Sequence, residues 1–146
     1  MAQTSEVVKK LVEVLHDSRK GFEDLGQKVQ DPQIRSFFEH EGQTRQQFAN
    51  QLSEALSGNS RPDPNEGTTA GTLHRNWGNL KAKFGTSDHS LLETAEQGED
   101  TAKRAYKTAL EDTDLPPQLR SLIERQQAHV LSSHDTVKAM RDQKAA

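Results

Sequence analysis

From Val8, the residues Leu11, Leu15, Ser18, Phe22, Leu25 and Val29 follow at alternating spacings of three and four. That is the period of one face of an α-helix, and no strand can present such a seam on a single side. Thr4 or Ser5 is placed to cap this first helix, which is expected to run to about Val29. Asp31-Pro32 then ends it and opens a second helix, since Asp accepts from free amides and Pro tolerates the first helical position. The second helix is expected to reach about Leu56, with the seam Ile34, Phe38, Glu41, Arg45, Phe48, Leu52 and Ala55 and with Gly58 as its stop. A link this short makes the pair an antiparallel hairpin.

Residues 57–89 change character. They open on Ser-Gly-Asn-Ser-Arg-Pro-Asp-Pro-Asn-Glu-Gly, a loop composition, and carry one short amphipathic stretch at 72–84 with Leu73, Trp77, Leu80 and Phe84. A third helix is expected after Asp88, with Leu92, Ala95, Glu99, Ala102, Tyr106 and Ala109 inward. After a tight link at Asp112–Pro117, a fourth follows with Leu119, Leu122, Gln126, His129, Ser133, Val137 and Met140 inward. Only two Ile and seven Val occur, which favours helix over strand. The expected fold is all-α, a single four-helix-bundle domain over 1–146.

The seams are broken by Ser18 on the first helix, Glu41 and Arg45 on the second, Glu99 on the third, and Gln126, His129 and Ser133 on the fourth. At about 1.5 Å per residue, Ser18 and Glu41 both stand roughly 15 Å from the first turn. If the connection from the second to the third helix crosses the length of the bundle, Glu99 and His129 join that level. A simple up-and-down connection displaces Glu99 by about 8 Å. Isolated buried carboxylates are costly, whereas converging ones can share a cation, so the long crossover is the expected topology.

The segments EGQTRQQFANQL (Glu41–Leu52), GTLHRNWGNLK (Gly71–Lys81), GEDTAKRAYKTAL (Gly98–Leu110) and HDTVKAMRD (His134–Asp142) are similar to a bacterial ferritin-like family whose function is unknown. That resemblance implies a ferritin-like bundle and, by its neighbours, a role in stress response. Ferritin-like metal sites take a Glu from each of two helices and Glu-x-x-His from the other two. Here Ser18 stands where the first carboxylate belongs, Thr44 follows Glu41 by three where His is wanted, and Gln126 replaces the Glu paired with His129. The two-metal set is incomplete.

Two readings of the polar level follow. In one, Arg45 supplies the positive charge, bridging Glu41 and Glu99 while Gln126, His129, Ser18 and Ser133 complete a hydrogen-bonded core network, and no cofactor is needed. In the other, Glu41, Glu99 and His129 hold a single divalent ion such as iron, manganese or zinc, and the protein is a metal-binding oxidoreductase. Trp77, with Leu73 and His74, forms either a lid, a small-ligand pocket or subunit contact, or the packing face of a short helix. Tyr106 reads as a core filler with its hydroxyl satisfied. His16, His40 and His89 read as surface or helix-end residues, and His134 with Asp135 lies on another face from His129.

With no cysteine, thiolate zinc, iron–sulfur and thiol chemistry are excluded. There is no Gly-rich phosphate loop and no nucleophile elbow. With 19 Lys and Arg against 22 Asp and Glu, interleaved on the outer faces, the surface is not a nucleic-acid footprint. No run is apolar enough to span a bilayer or serve as a signal core. The expectation is a cytoplasmic, monomeric or homodimeric, non-catalytic bundle that acts by binding a protein partner or a small ligand.

Overall fold

The computed structural model describes residues 2–56, 62, 77 and 85–144. Four long helices carry the structure: α1 (Ala2–Lys28), α2 (Pro32–Glu54), α3 (Asp88–Leu110) and α4 (Pro117–Gln143). The protein is an all-α four-helix bundle. Among the described residues no helix is long and apolar enough to cross a membrane.

The turns follow from their capping chemistry. Asp31 accepts from the amides of Gln33 and Ile34, with Pro32 opening the helix, so the free donors at the start of α2 are answered. At the other side of that turn, Arg35 donates to the carbonyls of Gly26 at 3.1 Å and Val29 at 2.7 Å. Arg120 does the same at the second hairpin, donating to the carbonyls of Leu110 and Asp112. Each hairpin is thus closed by an arginine of the incoming helix bonded to the last carbonyls of the outgoing one. The first helix begins at Ala2 rather than after Thr4 or Ser5, so neither residue is its cap.

The Asp88 carboxylate, at the start of α3, accepts from the amides of Gln30 at 2.8 Å and Asp31 at 3.0 Å. Lys144, just past α4, reaches Asp31 at 2.7 Å. The starts of α2 and α3 and the end of α4 therefore meet at one end of the bundle. The course of the connection between α2 and α3, with Gly58, Leu73, His74, Leu80 and Phe84, lies outside the described residues. Trp77 is described, helical and buried.

Two apolar clusters fill the interior. Phe22, Leu25, Val29, Ile34, Phe38, Leu91, Leu92, Ala95 and Val137 pack with Trp77 near the α1–α2 turn. Leu11, Leu15, Ala49, Leu52, Tyr106, Ile123 and Val130 are among those that fill the opposite half. Some inward positions differ from the periodic reading. Ile123 and Val130 are buried on α4, while Leu122, His129 and Met140 stand at its margin. The reason is that α4 packs chiefly against α3 and only lightly against α2, which rotates its buried face. On α2, Ala49 rather than Phe48 is fully buried, and Ala55, in the last turn, is exposed. His16, expected on the surface, is buried, with Nδ1 3.4 Å from Arg19.

Candidate functional site

Between the two apolar clusters lies a charged layer that the helices build together. Arg45 on α2 and Glu99 on α3 are both 0% exposed. The guanidinium donates from Nη1 to Glu99 Oε1 at 2.6 Å and from Nη2 to Glu99 Oε2 at 2.8 Å. Such a bidentate pairing is the geometry that a planar guanidinium and a carboxylate favour. Nη2 also donates to Glu41 Oε2, one turn earlier on α2, at 3.3 Å. From α4, Ser133 donates its hydroxyl to Glu99 Oε2 at 2.5 Å. The Phe22 ring lies under the guanidinium, 5.1 Å from its central carbon, a favourable cation–π placement.

His129 closes the layer on the side where α2 and α4 face each other. Its Nε2 lies 3.0 and 3.1 Å from the two Glu41 oxygens. Both acceptors are carboxylate oxygens, so Nε2 carries the hydrogen. The imidazole stands edge-on to Phe48, centroids 5.3 Å apart, and its side chain is 36% exposed. His129 is thus the point where the buried layer reaches solvent.

The electrostatics follow from these contacts. Burial pushes the Glu41 carboxyl up, but the hydrogen bond from His129 and the charge of Arg45 outweigh it and hold the group below its ordinary value. Burial likewise disfavours the Arg45 charge, and the Glu99 carboxylate, by charge and hydrogen bond, more than restores it. With His129 neutral the layer carries one net negative charge; with an imidazolium it carries none.

Of the residues singled out in the sequence, Glu41, Arg45, Glu99, His129 and Ser133 come together. Gln126 does not join them. It accepts from the Tyr106 hydroxyl at 2.7 Å and donates to Gln51 Oε1 at 3.0 Å and the Phe48 carbonyl at 3.2 Å, a second polar tie between α3, α4 and α2. Burial raises the Tyr106 phenol far above its ordinary value. Ser18 is buried on α1, and none of the bonds of the layer involves it. His134 is nearly buried, with Nε2 3.0 Å from Asp100 and Nδ1 3.2 Å from Asp135. The two ring nitrogens point in opposite directions, so one ion could not take both carboxylates and the ring.

The layer can be tested as a metal site on its own geometry. The guanidinium lies between Glu41 and Glu99 and donates to both, so an ion drawing on both carboxylates would need the place that Arg45 fills. Among the described residues no group of three or more His, Asp or Glu is arranged to hold a metal ion.

Two other features escaped the periodic reading. Gly21 on α1 and Gly98 on α3 both face the Trp77 indole: a Cβ built on Gly21 would lie 2.3 Å from the ring, and one on Gly98 would lie 2.1 Å from it. The ring fits because neither residue has a side chain. Further along α1 and α3 an open groove of about 550 Å³ has Val7, Leu11, Val14, Ala105 and Ala109 among its lining residues. Ala105 lies off the seam read for the third helix, so only the meeting of the two helices reveals the groove.

Residues 3–112 match the model of a family described as a domain of unknown function (DUF2383). The matched span includes Glu41, Arg45 and Glu99 and stops before α4, which supplies His129 and Ser133. No protein of curated function matches the chain.

Proposed function

The chain belongs to the DUF2383 family, and we propose that it is a non-catalytic, ferritin-like, cytoplasmic protein that acts by binding a partner or a small ligand. The observation that carries this reading is the position of Arg45. A guanidinium bonded to Glu41 and Glu99 provides in permanent form the positive charge that converging buried carboxylates demand, and its own charge repels a second cation from the same place. The ferritin-like assignment rests on the resemblance of the sequence and agrees with the shared starting end of α2 and α3. A stress-related role rests on that resemblance alone. The groove between α1 and α3 supports binding, since its volume lies in the range of small-molecule sites and its floor is apolar.

The competing reading is a metal-binding oxidoreductase that uses Glu41, Glu99 and His129. Elemental analysis of protein purified without chelator, followed by aerobic iron(II) oxidation, separates the two. We expect metal well below one ion per chain and no oxidation above the rate in buffer. Stoichiometric iron, manganese or zinc with turnover would overturn the proposal.

A further inference from the structure

The slot that holds Trp77 and the open groove between α1 and α3 are one continuous seam. Residues seven apart on a helix lie on nearly the same face. Seven and fourteen residues before Gly21 are Val14 and Val7, and seven after Gly98 is Ala105. Gly21 and Gly98 are buried with the indole against them, whereas Val7 and Ala105, in the same helical position, are only half-buried. Among the described residues, the seam is covered at one end by Trp77 and open along the rest.

We propose that the open part of this seam is a docking site for an amphipathic α-helix of a partner protein. The inference rests on the binding reading above and names its partner. The partner's bulky apolar side chain would sit against Val14 and Ala105 as Trp77 sits against Gly21 and Gly98. From Glu6 to Val14 the groove runs for about 12 Å, two helical turns, enough for anchors spaced at i, i+3 or i+4, and i+7. Ala105 and Ala109 keep the α3 side low, so a helix axis can approach closely. A strand laid there would leave its amides without acceptors, while a helix satisfies its own. Glu6 and Lys10 on one lip and Arg104 on the other present both signs of charge, which suits the flanks of an amphipathic helix better than a plain acyl chain.

The test is a titration of the full-length, isotope-labelled protein with a synthetic peptide of the sequence of residues 72–84, TLHRNWGNLKAKF, which offers Leu, Trp, Leu and Phe at helical spacing. Amide shifts should centre on Val7, Val14, Ala105 and Ala109. Ala105→Glu and, independently, Thr108→Trp at an exposed groove position should weaken binding at least about tenfold, with helix content unchanged by circular dichroism. Leu131→Glu on the exposed face of α4 should leave it unaltered. Three results would overturn the proposal. One is no shift at about 1 mM peptide. Another is shifts confined to Gly21 and Gly98, meaning the peptide only displaces Trp77. The third is a dimer of the chain, abolished by Ala105→Glu without peptide, meaning a second copy takes the seam. None of these bears on the metal assay, which tests the underlying reading separately.

Discussion

Arg45 and Glu99 form a two-bond ion pair, 2.6 and 2.8 Å, with both side chains wholly out of solvent. Burying two charges costs several kcal/mol per ion, and attraction offsets this only when the remaining hydrogen-bonding capacity is used. Here Ser133 takes a further site on Glu99, Glu41 takes a third bond from Arg45 and Phe22 covers the guanidinium face, while the buried Arg45 Nε has no hydrogen-bond partner among the described residues. The pair ties α2 to α3 across the core of the bundle.

Glu41 makes stability depend on pH. Its folded carboxyl lies below the unfolded value near 4.5, so the unfolded chain binds more protons in that window and stability rises with pH there. The contribution is complete above the ordinary carboxylate range and is lost as pH falls through the folded value. Glu41→Gln should therefore cost about 1.5–3 kcal/mol at pH 7, the range for hydrogen bonds to a charged group. Urea curves should show the gap from the parent protein closing below about pH 4.5.

Tyr106 is the only tyrosine in the chain, so its ionisation can be followed without interference. Burial holds the phenol neutral well beyond its usual range. Tyrosinate absorbance should be absent at about pH 10, where an exposed tyrosine is half ionised, and should appear together with the loss of helix signal on unfolding. Tyr106→Phe leaves Gln126 Oε1 without its donor and should cost about 1–3 kcal/mol.

The Trp77 slot predicts a reversal of sign. Gly98→Ala places a methyl about 2.1 Å from the indole and should destabilise by about 1–3 kcal/mol through overpacking. In a Trp77→Ala background the clash is gone, and the same substitution should stabilise by roughly 0.5–1 kcal/mol because Ala favours helix over Gly. Urea denaturation of the four proteins reads both values as one double-mutant cycle.

The charged layer was legible because charge on an apolar seam is conspicuous: Glu41 and Glu99 interrupt their stripes at matching heights, with Arg45 one turn beyond Glu41, and the structure joins them. Gln126 carried the same signal but is drawn to Tyr106, a hydroxyl within the seam whose need of a partner could not be located by spacing. The start of α2 at Asp31-Pro32 and the inward face of α1 follow from local chemistry, whereas α3 already begins at Asp88, capped by Ser87, which accepts from the Ser90 amide. The face of α4 does not follow from local chemistry, because its rotation depends on how closely it packs with α3 rather than α2. Gly21 and Gly98 were illegible for another reason: a missing side chain has no periodicity, and its meaning appears only when the ring it admits is seen.

The most direct test of the role assigned to Arg45 is the urea stability of Arg45→Met. Removing the guanidinium leaves Glu41 and Glu99 buried near each other without their shared cation, and the account predicts a loss of about 3–5 kcal/mol at neutral pH. The loss should shrink on acidification as one carboxylate takes up a proton, and Glu41→Gln with Glu99→Gln in the same background should recover much of it. A change below about 0.5 kcal/mol, the size of an ordinary surface substitution, would contradict the account.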